Sequence, residues 1–427
     1  MISNQNGKSL EDQLQILLDR RSVNSTLRNL TLPRSNQTDF SSNDFLSLST
    51  SSHLKFKYLS ELSSTGLPLG SSGSRLLDGN STYAEELERS IAGFHGAEAG
   101  LLFNSGFDAN AGFFACVPQP GDVIVYDELV HASVHDGMKL SRASKTVSFR
   151  HNCCTSFRTV LEEVIKQGEK PGNLNCKNVI VAVESIYSMD GDVAPLRELV
   201  DAMDEILGTG KGCIVVDEAH STGVLGPKGS GLVCELGLET RIFARLHTFG
   251  KALAGNGAII LGSHTLRKYL INYARPLIYT TFLSYPSLAL IRASYQMMQS
   301  AETVSLQKHL HQLTYLFFNS LRKIHGASNA LQTLLKVPSA CPMSPIFAIH
   351  LQEPKKLARY LQDQDMMVRA VVPPTVALGT QRVRICLHAG NTASEVEKLI
   401  QTIKDWCEQR ITEEVADPQI KTSRARI

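Results

Sequence analysis

Leu10, Leu14, Leu17 and Leu18 recur at helical spacing near the start of the chain, so an amphipathic helix opens it. A Ser-, Asn- and Leu-rich stretch follows and contains Asp39-Phe40-Ser41-Ser42-Asn43-Asp44-Phe45. From about residue 84 the texture alternates. A helix over Ala84 to Phe94 leads to the apolar run Gly100-Leu101-Leu102-Phe103. Further short runs lie at Asp122–Tyr126, Val179–Val183, Cys213–Val216 and Gly257–Leu261, with another strand around Ile242–Leu246. They are continuous, rich in β-branched residues and separated by helical segments. Strands buried on both faces have this pattern, so the expected class is α/β: a mostly parallel sheet with helices on both faces.

Beyond about residue 290 the texture changes. Long helical stretches precede Ile346-Phe347-Ala348-Ile349-His350, then a helix, then Arg382-Val383-Arg384-Ile385-Cys386-Leu387. Val396, Leu399, Ile400, Ile403 and Trp406 mark a last amphipathic helix. A smaller C-terminal α+β domain is expected. The reading divides the chain into a helix and entry segment over 1–50, a large domain over 51–290, a small domain over 291–410 and a polar tail over 411–427.

Composition narrows the class. At 427 residues and 43% hydrophobic content, the chain is long enough for a sizeable core. A formal charge of +2 gives no case for a nucleic-acid partner. The nine cysteines are odd in number, irregularly spaced and without a C-x-x-C pair, which points to reduced thiols inside a cell rather than disulfides or a metal site. No apolar run spans a bilayer and the start lacks a secretory signal, so a cytoplasmic protein is expected. The terminal Ala425-Arg426-Ile427 resembles a loose peroxisomal address, and a frayed basic tail fits it equally.

Ligands in open α/β sheets sit at the carboxyl ends of the strands. Cys213–Val216 runs into Asp217-Glu218-Ala219-His220. The strand around Ile242–Leu246 runs into His247-Thr248-Phe249-Gly250-Lys251. Gly100–Phe103 runs into Asn104-Ser105-Gly106-Phe107-Asp108-Ala109-Asn110, a turn opening a helix, whose free N–H groups suit a phosphate. Each piece alone has an ordinary explanation: a turn, a helix cap, a solvated lysine. His131 and His135 lack the Glu of a metal-binding H-E-x-x-H and read as a helix start, and the glycines of Leu69–Ser74 match no nucleotide loop. Together, an anion-binding turn, an acid, an imidazole and a lysine fit pyridoxal 5'-phosphate (PLP). That cofactor needs a lysine for a Schiff base, a carboxylate for its pyridine nitrogen and donors for its phosphate.

On these segments the chain resembles the α-oxoamine synthase family of fold-type I PLP enzymes, from about residue 10 to about 408. Phe40–Leu46 resembles the family's entry segment, Asn104–Asn110 its phosphate turn, and Asp127–Ser133 the segment whose histidine stacks on the cofactor. Glu184–Asp192, Val216–Gly223 and Thr248–Ala252 are its most specific matches. The resemblance implies that Lys251 forms the Schiff base and Asp217 pairs with the pyridine nitrogen. Ser188 and His220 would bond near the ring, His131 would cover one face, and Gly106, Phe107 and Thr248 would serve the phosphate. Arg384 would hold the amino-acid carboxylate, with Arg28, Asn43 and Thr375 contacting substrate. Pro373–Gly379 and Arg382–Arg384 are most similar to the branch that joins L-alanine to pimeloyl-CoA with loss of CO2, in a homodimer.

Three positions depart from the family pattern. Ala84 stands at a usual histidine, Asp108 at a usual small residue and Ala377 at a usual proline. They bear on the acyl substrate and remove no cofactor contact. A fold-type I aminotransferase would share Lys251 and Asp217, but Ser188 and His220 favour a synthase. Within the family, a synthase of secondary metabolism with another amino acid or acyl chain is the rival. A cofactor-less partner subunit would not need Lys251.

Overall fold

The computed structural model describes residues 9–24, 26–32, 34, 36–168 and 177–416. The chain divides into two compact units, one ending at Gln37 and the other starting at Thr38. In the first, α1 spans Leu10–Val23 and Ser9 caps it through a reciprocal capping box with Asp12. The expected helix is there, but Leu10, Leu14, Leu17 and Leu18 are exposed.

The second unit holds the two main sheets. Its helices α2 (Ser52–Thr65) and α3 (Thr82–Phe94) precede a seven-stranded sheet. The strands are β1 (Ala99–Phe103), β2 (Val123–Asp127), β3 (Lys145–Phe149), β4 (Val179–Glu184), β5 (Gly212–Asp217), β6 (Ala244–Thr248) and β7 (Ala258–Gly262). Their order is β1-β7-β6-β5-β4-β2-β3, and β7 alone runs antiparallel to its neighbours. Helices α4 (Gly106–Cys116), α5 (Ala132–Lys139), α6 (Cys154–Gly168) and α7 (Leu196–Leu207) connect the earlier strands.

Alternation along the strands builds a core on each face. Val179, Val181, Ile214 and Val216 pack with Phe157, Leu161 and Leu199, from α6 and α7. Their neighbours Ile180, Ala182 and Val215 pack with Phe113 and Phe114 of α4. Both faces are covered, which is why these strands read as continuous apolar runs.

Two strand readings change. The strand expected around Ile242–Leu246 is β6, displaced to Ala244–Thr248, so His247 and Thr248 are inside it. Strand β3 was not legible: most of its residues are exposed and it pairs only with β2, so Lys145-Thr146-Val147-Ser148-Phe149 carries almost no apolar signal.

After α8 (Tyr285–Gln299) and α9 (Val304–Gly326) comes a three-stranded antiparallel sheet of β8 (Ile346–His350), β9 (Arg369–Val371) and β10 (Arg382–Cys386), with β10 central. Helix α10 (Pro354–Asp363) lies between β8 and β9, and α11 runs from Ala393 to Ala416. Val396, Leu399, Ile400, Ile403 and Trp406 are buried, as their spacing predicts. Ala425-Arg426-Ile427 lies outside the described residues. Among the described residues no helix is long and apolar enough to cross a membrane, and every described cysteine is free.

Candidate active site

The carboxyl ends of β1, β4, β5 and β6 open onto one cavity of about 470 Å³, within the size range of small-molecule sites. Its lining includes Asn43, Gly106, Phe107, His131, Ser188, Asp217, His220, Thr248, Lys251 and Arg384. Ten residues singled out from the sequence thus meet at one place. Arg28 belongs to the first unit, beyond α1, and is exposed. Thr375 is on an exposed turn between β9 and β10 and does not line the cavity.

Local chemistry places each group. Ser105 caps α4: its Oγ accepts from the Asp108 N–H at 3.0 Å and donates to Asp108 Oδ2 at 2.8 Å. The N–H groups of Gly106 and Phe107 are the first two of the helix and have no acceptor within it. A Cβ on Gly106 would collide with the Thr248 side chain, so glycine is what lets α4 start against β6. Asp108, unusual for the family, is therefore engaged with the cap.

Asp217 ends β5 and sits opposite Glu184 in the β4–β5 ladder. Its Oδ1 accepts from the Ala219 N–H at 2.9 Å and its Oδ2 from Asn110 Nδ2 at 2.8 Å. Lys251 follows β6, and its Nζ donates to Thr248 Oγ1 at 3.2 Å. Burial pushes the Lys251 ammonium below its ordinary range; Asp217 and Glu184 oppose the shift and Arg384 adds to it. Burial and then the Asp217 charge push Glu184 well above the usual carboxylate range. Burial, reinforced by Lys251, Arg384 and His131, holds His220 well below its ordinary value and so neutral.

Arg384 projects from β10, the middle strand of the small sheet. It donates from Nε to the Ser188 carbonyl at 2.6 Å and from Nη2 to Asn43 Oδ1 at 2.8 Å. The Ser188 turn is fixed in turn by Gly191, where φ is +77° and a Cβ would strike the Ile346 carbonyl. Asn43 is held by its flanks: Phe40 and Phe45 are fully buried, and their carbonyls accept from Cys386 and Ala389.

The residues fit PLP on an observation made here. His220 lines the cavity, and its Nδ1 is buried with no hydrogen-bond partner among the described residues. Such an atom is costly unless a bound polar group satisfies it. Around it stand a phosphate-type helix start, a hydrogen-bonded acid and a lysine shifted toward its neutral form. Sequence reasoning missed Asn110, Ser133 and Glu184. Asn110 is one helical turn beyond Gly106 and Ser133 two residues after His131, so spacing on α4 and α5 was the available signal.

A fold-type I sheet and this set of strand-end groups define a PLP-dependent enzyme. The family model described as "Aminotransferase class I and II" matches residues 35–403. The chain is 51% identical over 406 residues to an 8-amino-7-oxononanoate synthase of Emericella nidulans, covering 94% of this chain and 97% of that one. It is 39% identical to an aminoacyl transferase, sphA, of Aspergillus fumigatus, covering 95% of this chain and 88% of that one. It superposes with a TM-score of 0.79 on a serine palmitoyltransferase from S. paucimobilis solved with a PLP–myriocin aldimine. That match covers 95% of this chain and 100% of the other at 22% identity, which speaks to the fold. The chain belongs to the aminotransferase class I and II family and, within it, to the PLP-dependent, acyl-transferring α-oxoamine synthases.

Proposed function

We propose that this enzyme condenses L-alanine with pimeloyl-CoA to give 8-amino-7-oxononanoate, CoA and CO2, a step of biotin synthesis. The observation that carries the reading is the 51% identity to the Emericella nidulans synthase across nearly the full length of both chains. The cavity lining supports the following roles. Lys251 Nζ is the amine that holds the cofactor, with Asp217 at the pyridine nitrogen. Gly106, Phe107 and Thr248 would hold the phosphate, Ser188 and His220 would bond near the ring, and His131 would cover one face.

The bound cofactor supplies an electron sink for the pair left at the amino-acid Cα. The chain supplies the rest. Arg384, oriented by Asn43 and the Ser188 carbonyl, binds the substrate carboxylate through charge-assisted hydrogen bonds. Lys251, favoured as a neutral amine by burial, is the base that would take the Cα proton. The Cα then bonds to the thioester carbonyl carbon and the C–S bond breaks. CoA departs with the electron pair as thiolate. Loss of the carboxyl group as CO2 and protonation at the same carbon complete the product.

A homodimer is part of the proposal. Leu69, Leu76 and Leu77, between α2 and α3, and Tyr279 are large apolar side chains exposed on the single chain, where a second copy would cover them.

The likeness to the Aspergillus fumigatus aminoacyl transferase favours a second reading, in which the same machinery joins another amino acid or acyl thioester. A CoA-release screen decides between them, using purified holoenzyme, amino acids including alanine and serine, and acyl-CoAs of graded length with and without a terminal carboxylate. Fastest release with L-alanine and pimeloyl-CoA, with a product of the mass of 8-amino-7-oxononanoate, is expected. Faster turnover with serine or a long alkanoyl-CoA would replace the first reading by the second.

A further inference from the structure

An unbroken run of hydrogen bonds joins Asp217 to His131 through two residues outside the roles assigned above. Asn110 is 3% exposed and Ser133 is fully buried. The Asn110 amide nitrogen has two hydrogens and two acceptors in reach: Asp217 Oδ2 at 2.8 Å and Ser133 Oγ at 3.1 Å. Ser133 Oγ lies 2.8 Å from His131 Nδ1, and the Ser133 N–H points to the same nitrogen at 3.2 Å.

The donor and acceptor inventory leaves one assignment. A backbone N–H can only donate, so His131 Nδ1 carries a lone pair. Ser133 Oγ, already accepting from Asn110, has its own hydrogen left for that nitrogen. The proton of the neutral imidazole is therefore on Nε2. Burial, with Lys251 adding to it against Asp217, lowers the His131 basicity and favours the neutral ring.

We propose that Asn110 and Ser133 are positioning residues that lock His131 as its neutral Nε2–H tautomer and tie it to the carboxylate of Asp217. The lock gives the imidazole over the cofactor face a fixed N–H donor at Nε2. The same amide fills one lone pair of Asp217 Oδ2 and so limits the directions from which that carboxylate meets the pyridine nitrogen. A single helix-borne side chain thus links two groups of the cofactor site. The inference rests on the placement of Asp217 and His131 around the cofactor, and it holds whichever amino acid and thioester the enzyme takes.

The test reads the tautomer directly. Full-length holoenzyme carrying ¹⁵N-labelled histidine imidazoles is recorded by long-range ¹H–¹⁵N correlation, with His131→Gln assigning the ring. The expected spectrum has Nε2 protonated and Nδ1 bare. Ser133→Ala keeps the longer backbone N–H contact but removes the closer hydroxyl donor, so a fraction of the Nδ1–H form should appear and kcat should fall about tenfold, the scale of one lost hydrogen bond. Ser133→Thr, which keeps the hydroxyl, should restore the wild-type tautomer. Protonation of Nδ1 in the wild-type enzyme overturns the proposal, and so does a tautomer unmoved in Ser133→Ala. If Ser133→Ala does not fold, the wild-type spectrum still decides. A failed substrate assignment would show in the CoA-release screen and leave this spectrum unchanged.

Discussion

The floor of the active site and the turn that carries Thr375 are built differently. On the floor, Asp217 and Arg384 are held by partners far away in sequence, Asp217 by Asn110 and Arg384 by Asn43 and Ser188. Behind it, His151 bridges Asp127 Oδ1 at 2.9 Å and Asp192 Oδ2 at 2.6 Å, tying the end of β2 to the Ser188 turn. The turn that carries Thr375, outside the cavity lining, closes on itself: the Thr375 N–H reaches the Val372 carbonyl, and Thr380 the Ala377 carbonyl. Thr375 and Leu378 are exposed there. Asp217 and Arg384 are thus fixed by bonds between distant segments. The Thr375 turn rests on bonds within itself.

This contrast predicts a graded set of effects. Asp217→Asn removes the charge on the floor while keeping its shape. It should still bind PLP and lose about 10²–10⁴ in turnover, since the ring nitrogen is no longer held protonated. Solvent exchange of the alanine α-hydrogen should slow in parallel; unchanged exchange would deny Asp217 this role.

Arg384→Ala should raise KM for the amino acid about 10- to 100-fold, the value of charge-assisted hydrogen bonds to a carboxylate. KM for the acyl-CoA should move far less. Equal loss for both substrates would mean that Arg384 holds the site together without recognising the carboxylate.

His151→Asn tests the support behind the floor. Burial lowers the His151 pKa, but hydrogen bonds and charge from Asp127 and Asp192 outweigh it and raise it from 6.5 to about 10. A raised folded-state pKa gives stabilisation that is full below the unfolded value and fades as pH rises through the folded one. The variant should therefore be less stable than wild type by on the order of 2 kcal/mol below pH 6.5. The gap should narrow toward pH 10, as read from urea midpoints across that range. A gap independent of pH would remove the charged His151 from the account.

Thr375→Ala is the smallest change. It should alter the preference among acyl-CoAs by a few-fold at most and leave the amino-acid KM in place, as competition between two acyl-CoAs would show. A loss matching that of Arg384→Ala would erase the distinction between the floor and the Thr375 turn.

The same contrast explains what was legible in the sequence. The buried strands announced themselves as apolar runs because both faces are covered, and the floor residues could be found because they follow those runs. Lys251, Asp217 and His220 all come within four residues of a strand end. Strand β3 escaped because only one residue of its pattern is buried. Asn110 and Ser133 escaped for another reason: their places beside Gly106 and His131 put them near the site, but no local spacing shows that an amide on α4 reaches both β5 and α5. Thr375 was legible only through family resemblance, since an exposed turn with local bonds has no pattern of its own.

The central claim is that the lysine following β6 carries the cofactor. Borohydride reduction of the holoenzyme, followed by peptide mapping, tests it most directly. The account predicts loss of the yellow colour and one reduced-cofactor adduct, on Lys251, absent from Lys251→Ala. An adduct on another lysine, or bleaching with no adduct on Lys251, would contradict it.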